Sequence, residues 1–248
     1  MVFMVACIAS FIPYVALFLW LRGLHGEDPA YRKLCGSALC HGALCLLPVI
    51  LFSGTSYVIV RLTGVQRTNP LLYQALYCMI VLALMEELAK YLLFRRVLQK
   101  TVYPYSWMDT TVLMTIVGIG FGFVEAVIYA IGASVPVVLV RGICLPHAGY
   151  GAIVGWCYGK GAKYGKPAYK WAGFLISWLI HGVYDFSLSR EFLALNDNLA
   201  FVAFLLALLD IVLVIGLIVF VNRAKKRAMY TEALNDGADA SAGAEKAP

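Results

Sequence analysis

Glu86, Glu87 and Lys90 stand together inside the otherwise apolar run VLALMEELAKYLLF (81–94). Glu86 and Lys90 are four residues apart, so on a helix they share a face in the favourable acid-before-base order. Glu87 points about a quarter-turn away. A single ion pair can plug two helices together, but two carboxylates against one cation leave negative charge over, which suits water activation or a cation site. Glu125 lies in VGIGFGFVEAVIYA (117–130) with no cation near it in sequence, and needs a partner helix, a proton or a metal. His147 follows Pro146 in ICLPHAGYGAIVGW (143–156), where the proline frees a backbone carbonyl. His181 and Asp185 are four apart in LISWLIHGVYDFSL (175–188), the spacing of an imidazole oriented by a carboxylate. The pair also fits a plain intrahelical hydrogen bond. Together these runs offer carboxylates and imidazoles, which are ligands for Zn2+ and equally the groups that activate water by general base catalysis. No HExxH occurs, so a zincin-type helix is excluded.

The elements that carry these residues are membrane spans. An ionisable group at a helix centre in lipid costs about 2.5–3.5 kcal/mol, so such residues call for a reason. The 248-residue chain is 62% hydrophobic, with a mean hydropathy of +0.80. Its apolar residues fall into runs of roughly 20, the length that crosses a ~30 Å hydrocarbon core at 1.5 Å per residue. Unbroken runs without two-residue alternation argue for helices rather than a barrel. The expected architecture is all-α, a polytopic bundle of about seven transmembrane helices near 2–21, 36–60, 71–94, 110–132, 137–158, 171–189 and 199–221. Residues 1–222 form one transmembrane domain, with the motifs on the helices between about 71 and 189. Residues 223–248 form a basic, then disordered, cytoplasmic tail. Gly118, Gly120, Gly122, Gly149, Gly151 and Gly155 are packing devices that let helices approach closely.

Charge and minor residue types narrow the classes further. The net charge is +6, but Lys and Arg sit in short clusters between apolar runs, with no basic stripe for nucleic acid. Alternate connections (22–33, 95–100, 160–170 and 223–227) hold fourteen of them, against Arg61, Arg67, Arg141 and Arg190 on the other side. That bias places the N-terminus outside and the C-terminus in the cytoplasm of a cell-membrane protein. Met1–Trp20 lacks the basic start of a cleaved signal peptide and is expected to remain as the first helix. The seven cysteines (Cys7, Cys35, Cys40, Cys45, Cys78, Cys144, Cys157) include no CxxC and are expected to be packing residues. His25, His41 and Asp210 are expected to be structural, and Arg141 to mark an interface.

The order Glu86-Glu87-x-x-Lys90, Phe121-x-x-x-Glu125, His147, His181-x-x-x-Asp185 resembles the PrsW intramembrane proteases, relatives of the CAAX-processing and bacteriocin-immunity group. The resemblance covers residues from about 80 to 190. It implies hydrolysis of a peptide bond in or near a transmembrane segment of a membrane-anchored substrate, such as an anti-sigma-like regulator. By position, Glu86 and Glu87 polarise the attacking water, with Lys90 and Asp185 in the catalytic group. Glu125, His147 and His181 bind a metal, for which Zn2+ is the candidate, or stabilise the oxyanion. Ala126 departs from the pattern, where an Asn is expected after the Glu. Metal-dependent and glutamate-driven chemistry both remain open at this point. So do two other functions: an ion-coupled transporter, whose proton relays use the same residue types, and an inactive scaffold of the same fold. One geometric tension stands out. From the expected helix starts, Glu86 lies about 20 Å from the outer surface and Glu125 about 22 Å from the inner one, which puts them roughly 10 Å apart in depth.

Overall fold

The structure is a computed structural model that describes residues 2–101, 106–132, 135–196 and 198–244. It is helical throughout, with no strand among the described residues. In chain order the helices are α1 (Val2–Arg22), α2 (Pro29–Leu44), α3 (Leu46–Thr63), α4 (Val65–Thr68), α5 (Pro70–Leu76), α6 (Leu84–Lys100), α7 (Trp107–Gly132), α8 (Val135–Cys144), α9 (Pro146–Lys163), α10 (Pro167–Ser187), α11 (Arg190–Leu193) and α12 (Leu199–Ala244). A π-helical stretch, Tyr77–Ala83, joins α5 to α6.

Helix starts follow local chemistry. Asp28 accepts from the Ala30 and Tyr31 amides ahead of α2, and Asn69 accepts from Leu72 ahead of α5. Pro29, Pro70 and Pro167 sit in first turns, where a missing N–H costs nothing.

Five stretches are long and apolar enough to cross a membrane: Pro29–Leu62, Pro70–Lys100, Trp107–Ile131, Val138–Lys163 and Leu199–Arg227. This is a multi-pass membrane protein, but the count of seven is not reproduced. Ile8–Arg22 is a shorter apolar helix. α10 has 21 residues, enough to span, but Lys170, His181, Tyr184 and Asp185 reduce its apolar character. The single helix expected over 36–60 starts earlier and is divided at Cys45 into α2 and α3. The helix expected over 137–158 breaks at Leu145. α12 runs past the expected end of the last span and into the segment expected to be disordered.

α7 and α9 form the centre. About 72% of the α7 span and 67% of the α8–α9 span are buried, against 18–28% of the other three. Their approach is backbone to backbone. A Cβ on Gly118 would lie 2.0 Å from the carbonyl oxygen of His147, and one on Gly151 2.5 Å from that of Met114. On the opposite side of α7, Gly42 of α2 meets Val117 in the same way. The glycines read as packing devices therefore do bring helix axes together, as small residues do in membranes. α10 packs along α9, and α6 lies against α2, α7 and α10. Six cysteines, Cys35, Cys40, Cys45, Cys78, Cys144 and Cys157, are free thiols; the side chain of Cys7 lies outside the described residues.

Candidate active site

Five helices, α6 to α10, contribute to one buried polar layer. α6 places Glu86, Glu87 and Lys90, all within 7% exposure. The π-helical stretch just before them widens the helix, and its Met79 carbonyl accepts from the Trp178 indole of α10 at 2.6 Å. π segments are frequent at functional sites, and the extra residue changes which side chains face a given neighbour.

α9 begins at a strained point. Leu145 has φ +50° and ψ +47°, the one positive-φ non-glycine among the described residues, and it precedes a proline. Both features disfavour that backbone, at a cost on the order of 1–3 kcal/mol. The result sets His147 in the first turn of α9, against Gly118 of α7.

The side chains close into a ring. Lys90 Nζ donates to Glu87 Oε1 at 2.6 Å and to His147 Nδ1 at 2.9 Å. Because lysine has only donors, His147 must accept at Nδ1 and carry its proton on Nε2. That Nε2–H donates to Glu125 Oε2 at 2.7 Å. Arg141 of α8 donates to Glu125 Oε1 at 2.8 Å and lies 3.8 Å from Asp185 Oδ1. Asp185 Oδ2 is 3.3 Å from His181 Nε2, and His181 Nδ1–H donates to Glu87 Oε1 at 2.9 Å. Seven groups are thus linked in a circuit: Lys90, Glu87, His181, Asp185, Arg141, Glu125, His147, and back to Lys90. Aromatic rings wall it in. Phe121 packs edge-on to His147 at 4.7 Å and under the Lys90 ammonium at 4.5 Å, and Tyr150 stacks on His181 at 5.1 Å.

All seven residues singled out in sequence, Glu86, Glu87, Lys90, Glu125, His147, His181 and Asp185, meet in this layer. Two details differ from expectation. Lys90 pairs with Glu87, three residues away, rather than with Glu86. Both spacings lie on neighbouring helix positions, and on the Glu87 side Lys90 also reaches His147. The depth tension between Glu86 and Glu125 is resolved through His147, whose two nitrogens are held by Lys90 and Glu125 from opposite sides. Arg141, expected at an interface, belongs to the ring; its signal was an intramembrane arginine in VPVVLVRGIC (135–144). Tyr150 was missed, because an aromatic in a glycine-rich helix carries no mark of function. His25 and His41 are elsewhere, on Asp109 and on the Ser37 carbonyl. Asp210 is fully buried on α12; its carboxylate and the Tyr150 hydroxyl face each other without closing a hydrogen bond.

Glu86 lies outside the circuit. Its buried Oε2 has no hydrogen-bond partner, as is also true of Glu87 Oε2, whose Oε1 is the atom bonded to Lys90 and His181; the His181 Nε2 is 3.6 Å from Glu86 Oε2. Ligand atoms of Glu86, His147 and His181 lie within 4.8 Å of one another. The layer holds four carboxylates against two fixed cations, so with neutral imidazoles its deficit matches one divalent ion. These residues fit a metal: an orphaned carboxylate oxygen, two imidazoles, and a carboxylate behind His181 of the kind that orients metal-bound histidines. His147 already uses both ring nitrogens, so ligation through it exchanges its contact with Lys90 or with Glu125.

A helical bundle that buries such a layer among its membrane-crossing helices belongs to the class of multi-pass membrane proteins with an ionisable site inside the bundle. Comparison with known proteins narrows the class. PrsW family intramembrane metalloproteases match over residues 31–221, most of the chain, and this protein belongs to that family. Protease PrsW of Geobacillus kaustophilus (strain HTA426) is 33% identical over 116 residues, 43% of this chain and 49% of that protein. The chain thus matches about half the length of this curated relative. No solved structure matches.

Proposed function

We propose that this protein is an intramembrane metalloprotease that hydrolyses a peptide bond in or beside the transmembrane segment of a single-pass membrane protein, a regulator of the anti-sigma type being one candidate. The observation that carries the proposal is the uncommitted, buried Glu86 carboxylate oxygen beside His147 and His181. The curated relative that matches half its length is itself named a protease. The protein is proposed to lie in the cell membrane with its N-terminus outside.

Glu86, His147 and His181 would hold the metal. A divalent ion of the zinc type supplies Lewis acidity toward a carbonyl oxygen and lowers the pKa of water. The chain's own groups do the rest. Glu87 accepts a hydrogen bond from the Nδ1–H of His181, which leaves the Nε2 lone pair, on the Glu86 side, free to bind the metal. Lys90 neutralises Glu87 and fixes the His147 tautomer. Arg141 holds Glu125 and Asp185 in place at the other end of the layer. Hydrolysis forms a bond from water oxygen to the peptide carbon and breaks the C–N bond. A carboxylate takes the water proton and returns it to the leaving nitrogen. Phe121 and Tyr150 exclude bulk water, which strengthens every electrostatic contact inside.

A second reading, glutamate-driven hydrolysis with Glu86 as the base, is favoured by one observation: both nitrogens of His147 are already bonded. The two share one test with two readouts. Single-pass membrane proteins are co-expressed with wild type and with Glu86→Gln, and metal content is measured alongside cleavage. Loss of both cleavage and metal supports Glu86 as a ligand. Loss of cleavage with metal retained makes Glu86 the base. Full cleavage by Glu86→Gln overturns both. Proton flux in liposomes that is lost on the same substitution, with no substrate cleaved, would instead support a transporter.

A further inference from the structure

The basic edge of the bundle carries a feature that the proteolytic layer does not use. Trp107, the first residue of α7, sits under the Lys160 ammonium at 4.2 Å, with Lys163 at 5.9 Å and the Phe220 ring at 5.7 Å. A cavity of about 600 Å³ opens beside it, lined by Trp107, Phe220, Arg223 and Arg227. Among the described residues no carboxylate pairs with Lys160, Lys163 or Arg223. The carboxylate at the same helix start, Asp109, is taken by His25 and Ser106. Like charges gathered at a membrane edge without counter-charge repel one another unless an anion joins them.

This cavity continues into a second one. An almost wholly apolar cleft of about 550 Å³ runs between α9 and α12, lined by Gly149, Ala152, Ile153 and Trp156 on one side and Val212 and Leu213 on the other. Gly216 and Phe220 line both spaces. One end is therefore cationic and aromatic, and the other is apolar and lies within the membrane-crossing part of the helices.

We infer that the paired cavities bind one anionic phospholipid, with its phosphate among Lys160, Lys163 and Arg223 and an acyl chain in the α9–α12 cleft. Basic pockets between transmembrane helices hold anionic headgroups, each cation contributing about 1 kcal/mol near an anionic surface. Both cavities fall within the size range of small-molecule sites. A soluble anion would leave the cleft unused, and an apolar substrate helix would leave the cations unused. A phospholipid with a negative headgroup uses both. This site stands apart from the proteolytic reading and does not depend on it.

Gly216 provides the decisive variant. Nothing lies within 4 Å of a Cβ built there, so Gly216→Leu fills the cleft without pressing on the backbone. Purified protein is titrated with phosphatidylglycerol and with phosphatidylcholine of the same chains, and bound lipid is counted by native mass spectrometry. Wild type should retain one phosphatidylglycerol at least about tenfold more tightly than phosphatidylcholine. Each of Lys160→Gln, Lys163→Gln and Arg223→Gln should weaken retention about fivefold, the equivalent of about 1 kcal/mol. Gly216→Leu should abolish retention while leaving lipid-free thermal stability unchanged. Equal retention of phosphatidylcholine would overturn the site. So would retention unaffected by Gly216→Leu, which would mean diffuse surface attraction, or displacement of the lipid by inorganic phosphate, which would mean a soluble-anion site.

Discussion

The span formed by α2 and α3 and the span formed by α7 are equal in mean hydropathy, yet 18% of the first and 72% of the second is buried. What separates them is the use made of small and polar residues. On α3, Ser53 and Thr55 hydrogen-bond to carbonyls of their own helix, at Ile50 and Leu51. Leu51 and Leu62 face outward. On α7, Thr110 reaches across to the Gly155 carbonyl of α9 at 3.0 Å, and Gly118 admits the backbone of His147. Hydropathy thus puts a helix into the bilayer. Whether that helix then faces lipid or protein is decided by residues that let another backbone come close or that hydrogen-bond to it.

Substitutions should separate the two regions by orders of magnitude. Glu86→Gln, at the layer that α7 helps enclose, should lower cleavage of a co-expressed substrate by about 10²–10⁴-fold, whether it removes a metal ligand or a base. Membrane insertion and yield should be unchanged. Arg141→Gln should destabilise the purified protein by about 3–5 kcal/mol, because Glu125 and Asp185 are left buried without their cation. A melting temperature within a degree of wild type would show that the ring is not closed at Arg141. Gly118→Ala should cost about 1–3 kcal/mol as the new methyl meets the His147 carbonyl, an overpacking effect. Thermal unfolding in detergent measures it. Gly54→Ala is the paired control on α3, where nothing lies within 4 Å of the added Cβ. It should be neutral, and comparable losses for Gly54→Ala and Gly118→Ala would erase the contrast between the two spans.

Much of the site was legible because charge inside an apolar run has few bland explanations. Glu86, Glu87, Lys90, Glu125, His147, His181 and Asp185 stand out for that reason alone, and all seven meet. Their pairing was not legible. It depends on helix rotation, and the π-helical stretch that sets the rotation of α6 is written in YCMIVLA (77–83), which contains no glycine, proline or charge to mark it. Arg141 was counted with the connections because one arginine near a predicted helix end looks like a membrane flank. The breaks at Cys45 and Leu145 escaped for a similar reason. Neither residue is a helix breaker by type, and Pro146 marks the second break only by following it. The span count was affected by the same property that made the site visible, since the polar residues that α10 brings to the layer keep it out of the five stretches apolar enough to span.

The most direct test of the central claim is the metal content of the purified protein, measured by mass spectrometry on wild type and on His181→Ala. About one divalent ion per chain in wild type and a loss of at least tenfold in His181→Ala are predicted, from ligation through Glu86, His147 and His181. A wild-type protein that cleaves substrate while holding no metal would contradict that claim, as would a His181→Ala variant that keeps its full complement.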